Sequence, residues 1–176
     1  RRQMQMIFQD PYASLNPRMT VYDTLAEPLR LHKIVTKKEL DGEICSLMDS
    51  VGLARESILR YPHEFSGGQR QRIAIGRAIA TKPAFIIADE PVSSLDVTIQ
   101  AQILDLLLQL VERFNLTMLF ISHDLGVVRY LADRILVMNE GKLVESGSTH
   151  QVFNSPQQAY TQALLNAIPG KSIFQE

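Results

Sequence analysis

The stretch from Phe65 to Pro91, FSGGQRQRIAIGRAIATKPAFIIADEP, constrains the chain most, because it joins a small-residue turn, a helix and an apolar strand ending in two carboxylates. Ser66, Gly67 and Gly68 precede a segment with Ile73, Ala74, Ala78 and Ile79 on one face. Lys82-Pro83 stops it, since proline cannot continue a helix. The turn therefore opens a helix, where unpaired N–H groups and the helix dipole favour an anion such as phosphate. The run Ala84 to Ala88 has no polar interruption, the pattern of a central parallel strand covered on both faces. Asp89 and Glu90 fall where that strand runs out, at the edge where open α/β sheets bind ligands, and strand alternation points them to opposite sides. One carboxylate is placed to hold a metal and the other to handle water. Either half alone reads equally well as a helix cap; the order and spacing of both together favour a site.

Composition narrows the class. At 176 residues the chain suits one domain with a real core. The 18 basic and 19 acidic residues leave a formal net charge of -1, which argues against a nucleic-acid binder, so no RNA or DNA partner is expected. Cys45 is the only cysteine, so no internal disulfide forms and a reducing compartment fits. No apolar run approaches the ~20 residues that span a bilayer. The opening Arg1-Arg2-Gln3 leads at once into an apolar run, Met4 to Phe8, and reads as a chain entered partway through a domain.

Along the chain, Gln9 follows that first strand and Asp10-Pro11 breaks it, so its amide is presented from a loop. Thr20 with Asp23 opens a helix carrying Val21, Leu25 and Leu29, with a kink expected at Pro28. Thr36 with Glu39 forms a capping box ahead of Leu40, Ile44, Leu47, Met48 and Val51. The spacing makes a helical block between Gln9 and Ser66, able to move as a lever between them. Gln69, Arg70, Gln71 and Arg72 read mostly as a polar helix face. His63 is assigned no role. Asp96 is an N-cap for a helix with Ile99, Ile103, Leu106, Leu107 and Leu110. Thr117 to Ser122 reads as a second buried strand with His123 at its end. Arg134–Met138 and Lys142–Ser146 read as a strand pair turned at Asn139-Glu140-Gly141. The tail is helical, with Tyr160, Leu164 and Ile168 on one side.

Five ordered motifs resemble those of ABC-type ATPases. Ser66-Gly67-Gly68-Gln69 is similar to the LSGGQ signature, Phe85 to Glu90 resembles the Walker B strand with its following catalytic Glu, and Ser94-Leu95-Asp96 resembles the D-loop. His123 resembles the switch histidine and Gln9 the Q-loop glutamine. The tail, with QDPYASLNPR near the start, is similar to the ATPase subunits of oligopeptide and dipeptide importers; importers for nickel and peptide antibiotics carry similar segments. The resemblance implies an α/β fold, a partial P-loop NTPase (RecA-like) core with an α-helical signature subdomain. Its expected parts are a Q-loop region (1–19), a helical subdomain with the signature (20–82), the Walker B, D-loop and switch-histidine part of the core (83–147) and a helical tail (148–176).

The resemblance also implies ATP and Mg²⁺ as cofactors. Glu90, His123 and Gln9 would be catalytic, Asp89 and Gln9 would hold Mg²⁺, and Ser66, Gly67, Gly68, Gln69 and Asp96 would bind ATP. Two subunits, identical or paralogous, would pair head to tail with ATP between them and drive transmembrane permease subunits from the cytoplasmic side of the inner membrane, as a peripheral component. The competing functions are a non-transport ABC ATPase and a non-hydrolysing regulatory module.

One expected part is not in the sequence. A phosphate loop, G-x-x-x-x-G-K-[ST], cradles phosphates on backbone N–H groups and neutralises them with its lysine. None of the nine glycines is placed to make it. In the family that loop lies upstream of the Q-loop, so it is expected beyond Arg1, and the 176 residues alone are expected to hydrolyse ATP negligibly. Sheet surface is also expected to be left exposed.

Overall fold

The computed structural model describes residues 2–167. These fall into two compact units divided between Ile121 and Ser122.

The first unit is built on a three-stranded parallel sheet, order β1-β2-β3, from β1 (Met4–Ile7), β2 (Phe85–Asp89) and β3 (Thr117–Ile121). The register pairs Ile7 with Ala88, and Asp89 with Ile121. Between β1 and β2 lie α1 (Pro11–Ser14), α2 (Val21–Leu31), α3 (Leu40–Ser50), two short 3-10 turns and α4 (Gly67–Ile79); α5 (Val97–Phe114) joins β2 to β3. The mixed α/β fold expected from the sequence is therefore present. Helix α4 lies at the centre and packs against β1, α1, α2, α3 and α5.

Local rules place most boundaries. Thr20 caps α2 by accepting the Asp23 N–H. Pro28 is accommodated inside α2, which runs on to Leu31. Helix α3 begins at Leu40, later than a box opening at Thr36 implies. The reason is that the Thr36 hydroxyl donates to the Glu39 carboxylate (2.8 Å) instead of accepting the Glu39 N–H, and residues 36–39 close a separate turn. Asp96 caps α5 through the Ile99 N–H at 3.0 Å, and Asn115 ends it in the left-handed region at φ 49°.

The strands are less covered than their apolar runs suggest. Ile7, Ile86 and Ala88 are buried on one sheet face, whereas Phe85 and Ile87 on the other are only half-buried. No residue of β3 is buried, and its Leu119 and Ile121 are 38% and 43% exposed. Strand periodicity reports which residues share a face, but burial depends on what packs there. Within this unit the helices cover the Ile86 face.

The second unit holds α6 (Leu125–Leu131), an antiparallel hairpin of β4 (Arg134–Asn139) and β5 (Lys142–Ser148), α7 (Thr149–Asn154) and α8 (Ala159–Asn166). The hairpin turns on Glu140 and Gly141, both at positive φ (49° and 74°), as a two-residue turn matched to strand twist requires. Ile135, Val137 and Val152 form its core, with Val128, Val144, Phe153 and Leu164 against them. Of the tail residues expected on one side, Leu164 reaches this core, Tyr160 is 38% exposed and Ile168 lies outside the described residues.

Glu145 on β5 fixes the approach to α8 by accepting the backbone N–H of Gln157 (2.8 Å) and of Gln158 (3.1 Å). The Gln157 bond is the leading cause that holds its carboxyl below the ordinary glutamate range. A carboxyl depressed in the fold stabilises fully above its unfolded pKa, and that stability is lost as pH falls through the folded value. Glu145→Gln is therefore expected to lower the thermal midpoint at neutral pH, and the gap to the parent should close on acidification below about pH 4.5. Melts at a series of pH values check this; a gap that stays constant with pH would contradict it.

Candidate active site

The carboxylates stand at the C-terminal end of β2, where the backbone departs from strand geometry between them. Asp89 is the last strand residue, while Glu90 turns into the left-handed region at φ 43°. Its N–H still continues the ladder, donating to the Ile121 carbonyl at 2.9 Å. Glu90 thus leaves the strand plane through a backbone bend that L-residues adopt sparingly, and such bends concentrate at functional sites.

That bend meets the end of the neighbouring strand. Gln9, two residues past β1, donates from Nε2 to Glu90 Oε2 at 3.0 Å. The same amide nitrogen lies 3.4 Å from Ser93 Oγ, and Ser93 Oγ donates to the Glu90 carbonyl at 3.1 Å. Only the NH₂ end of an amide can donate to a carboxylate, so the orientation of Gln9 follows from its partner. Parallel pairing of β1 with β2 brings these side chains together across 81 residues of sequence. Ser93 was not singled out by the sequence; a serine three residues after Glu90 in a turn is the signal that could have found it.

Asp89 is half-buried, and no described side chain engages its carboxylate. An unengaged hard-oxygen donor at a strand end fits a magnesium ion, which characteristically takes one or two carboxylates and completes its shell with water and ligand phosphates. Among the described residues no group of three or more His, Cys, Asp or Glu is assembled to hold a metal unaided. Such an ion would complete its shell with water or ligand oxygens.

The small-residue turn is built as an open helix start. Ser66 caps α4 in a reciprocal box: its Oγ accepts the Gln69 N–H (3.3 Å) and its own N–H donates to Gln69 Oε1 (3.0 Å). The Gln69 amide is thus engaged in capping. Ser66 is exposed and Gly67 half-buried, whereas Gly68 is buried, so the turn reaches the surface at its first two residues. The glycines have a second reason. A Cβ on Gly68 would lie 2.5 Å from Ile99 Cγ2, and one on Gly67 3.3 Å from Leu95 Cδ2. Close approach of α4 to the start of α5 requires Gly68 to be bare, while at Gly67 the contact is tight but within reach of a small shift of Leu95.

The residues after the turn are not the polar face that their sequence suggests. Gln71 is fully buried. Arg70 donates to the Phe65 carbonyl at 2.6 Å and lies over the Tyr12 ring. Arg72 donates to the Val51 carbonyl (2.8 Å) and Arg77 to that of Ser14 (2.6 Å). The segment is a packed hub whose cations satisfy loop carbonyls. His123 belongs to the second unit, where it is exposed and directly precedes Asp124, the cap of α6. Gln9, Asp89, Glu90, Ser66 to Gln69 and Asp96 all belong to the first.

A family model described as "ABC transporter" matches residues 1–93. The chain is 58% identical over 169 residues to the oligopeptide transport ATP-binding protein OppF of Bacillus subtilis, covering 96% of this chain and 55% of that protein. It is 52% identical to the dipeptide transport ATP-binding protein DppF of Lactococcus lactis subsp. cremoris, over 100% of this chain and 57% of that protein. Among solved structures, cbiO1 from Clostridium perfringens, part of the ABC transporter complex cbiONQ, superposes with a TM-score of 0.77 at 25% identity, covering 88% of this chain and 60% of that one. The chain spans a little over half the length of the curated relatives it matches. With a helix-capping SGGQ turn, a strand ending in Asp-Glu and a glutamine reaching that Glu from the next strand, this chain belongs to the ABC transporter family.

Proposed function

We propose that these residues belong to an ATP-hydrolysing subunit that energises a membrane importer of peptides, with the phosphate loop supplied by residues not among these 176. The observation that carries the reading is the Gln9 amide on the Glu90 carboxylate at 3.0 Å, at the ends of adjacent parallel strands. Glu90 accepts the proton of the attacking water. Gln9 sets the orientation of that carboxylate, and Ser93 holds the bend beneath it. Asp89, with the Gln9 side-chain oxygen, would hold a magnesium ion, which would neutralise phosphate charge. The open N-terminus of α4, Ser66 to Gly68 with Gln69 behind it, closes over the terminal phosphate bound by a second ATPase subunit, identical or paralogous, and Asp96 stands beside that closure. The solute class rests on the printed names of the relatives, which are oligopeptide and dipeptide transport proteins. No helix among the described residues is long and apolar enough to cross a membrane, which accords with a peripheral subunit held by permease partners on the cytoplasmic face.

The reading is tested on a subunit that carries these residues with a phosphate loop. Gln9→Ala is expected to lower kcat about tenfold, because it removes the orientation of Glu90 needed in the transition state, and to raise KM for MgATP by a smaller factor, because it also removes one of the groups that would hold magnesium. An unchanged kcat would remove Gln9 from the machinery.

A further inference from the structure

The start of α5 departs from a local rule. A helix N-terminus is commonly stapled by an apolar contact between the residue before the cap and the fourth residue of the helix. Asp96 is the cap of α5, so these two places fall to Leu95 and Gln100. Leu95 meets the rule and Gln100 breaks it. Gln100 instead reaches back along the chain, donating from Nε2 to the Leu95 carbonyl at 2.9 Å in a part-buried setting. Its own N–H donates to the Asp96 carbonyl (2.8 Å), as the first helical turn requires. Glutamine therefore holds the backbone of Leu95 at the place where an apolar residue would grip its side chain.

The Leu95 side chain has another neighbour. Its Cδ2 lies 3.3 Å from the place where a Cβ on Gly67 would stand, so Leu95 seats against the first residue of α4. Ile99 meets Gly68 more closely still, at 2.5 Å by the same measure, and the Ile99 N–H is the group that Asp96 caps at 3.0 Å. The two side chains that seat the small-residue turn thus lie on either side of Asp96, one on the helix and one before it. Helix geometry fixes Ile99. Leu95 lies outside the helix, and its backbone is held by the Val92 carbonyl, which accepts its N–H at 3.1 Å, and by the Gln100 amide.

We infer that Gln100 is a positioning residue for the turn at Ser66 to Gly68, acting through Leu95. The inference rests on reading that turn as the part of an ATPase subunit that closes over phosphate. The Gln100 amide fixes the Leu95 carbonyl, and with it the direction in which the Leu95 side chain leaves the loop towards Gly67. An apolar residue in place of Gln100 would remove the donor and offer Leu95 the ordinary staple, drawing its side chain onto α5 and away from the turn. A local rule broken at one residue beside a site is the expected mark of a functional constraint.

The experiment compares Gln100→Leu, which supplies the staple, with Gln100→Lys, which keeps a donor of sufficient reach, in the phosphate-loop-bearing subunit. Thermal midpoint, kcat and KM for MgATP are measured with Leu95 intact and in a Leu95→Ala background. Gln100→Leu should leave the midpoint unchanged or raise it while lowering kcat about three- to tenfold, the range of one lost hydrogen bond, and moving KM less. Gln100→Lys should stay within about twofold of the parent, and Gln100→Leu should cause no further loss once Leu95 is alanine. A midpoint that falls together with kcat would show that the bond only holds the helix start, and would overturn the inference. So would an unchanged kcat, an equal loss with lysine, or an equal loss without Leu95. Absence of turnover in the unsubstituted subunit would instead remove the reading of the site, and the inference with it.

Discussion

Glu90→Gln, in a subunit carrying the phosphate loop, is expected to reduce ATP turnover by about 10²–10⁴, the range of a positioned general base, while nucleotide binding and thermal midpoint stay close to the parent. The substitution isolates chemistry from structure. A glutamine carbonyl still accepts the Gln9 N–H that now reaches Oε2, and the residue keeps its length at a backbone position with φ 43°. What is lost is the capacity to take a proton. Parallel equilibrium binding and single-turnover measurements check this. A variant that binds nucleotide as before and turns over within about threefold of the parent would remove Glu90 from the base role.

The second large effect is steric. Gly68→Ala is expected to destabilise the fold by about 1–3 kcal/mol, the usual cost of an overpacked contact. The new Cβ would lie 2.5 Å from Ile99 Cγ2, and that atom belongs to a β-branched side chain with little rotameric freedom. The helix propensity gained by replacing glycine, at most about 1 kcal/mol, does not offset the clash. Because the contact is pairwise, Ile99→Ala should restore much of the loss, giving a coupling energy of about 0.5–3 kcal/mol in a double-mutant cycle of chemical melts. Purely additive losses would show that α4 and α5 tolerate the extra carbon by moving apart. The cycle separates two reasons for the same glycine, since a backbone needed only by phosphate would show no rescue from Ile99.

The parts of the site legible in the sequence are those governed by local rules. Ser66 capping α4, Asp96 capping α5 and the strand ending at Asp89 follow from cap chemistry, proline and apolar runs within a few residues of each other. The bend at Glu90 was not legible, because alternation assumes that the strand continues while the backbone departs at that residue. The pairing of Gln9 with Glu90 depends on which strands become neighbours, and composition does not encode that; the family resemblance pointed to both residues but not to their bond. The burial of Gln71 is hidden in the sequence for a related reason. Its polar neighbours suggest a wet face, whereas Arg70, Arg72 and Arg77 turn their charges onto carbonyls and Gln71 is enclosed among them. In β3 an apolar run indicated a buried strand, but burial requires a covering layer that this unit does not place over Leu119 and Ile121.

Mg-ATP hydrolysis by the 176-residue chain tests the central claim most directly: these residues carry the water-activating half of an ATPase and depend on a phosphate loop outside them. The assay is run on the chain alone and mixed with a phosphate-loop-bearing copy carrying Glu90→Gln. The account predicts negligible turnover in both, because phosphoryl transfer rests on positioning and charge neutralisation that the loop supplies. Clear turnover by the chain alone, abolished by its own Glu90→Gln, would contradict the account and show a phosphate site elsewhere in these residues.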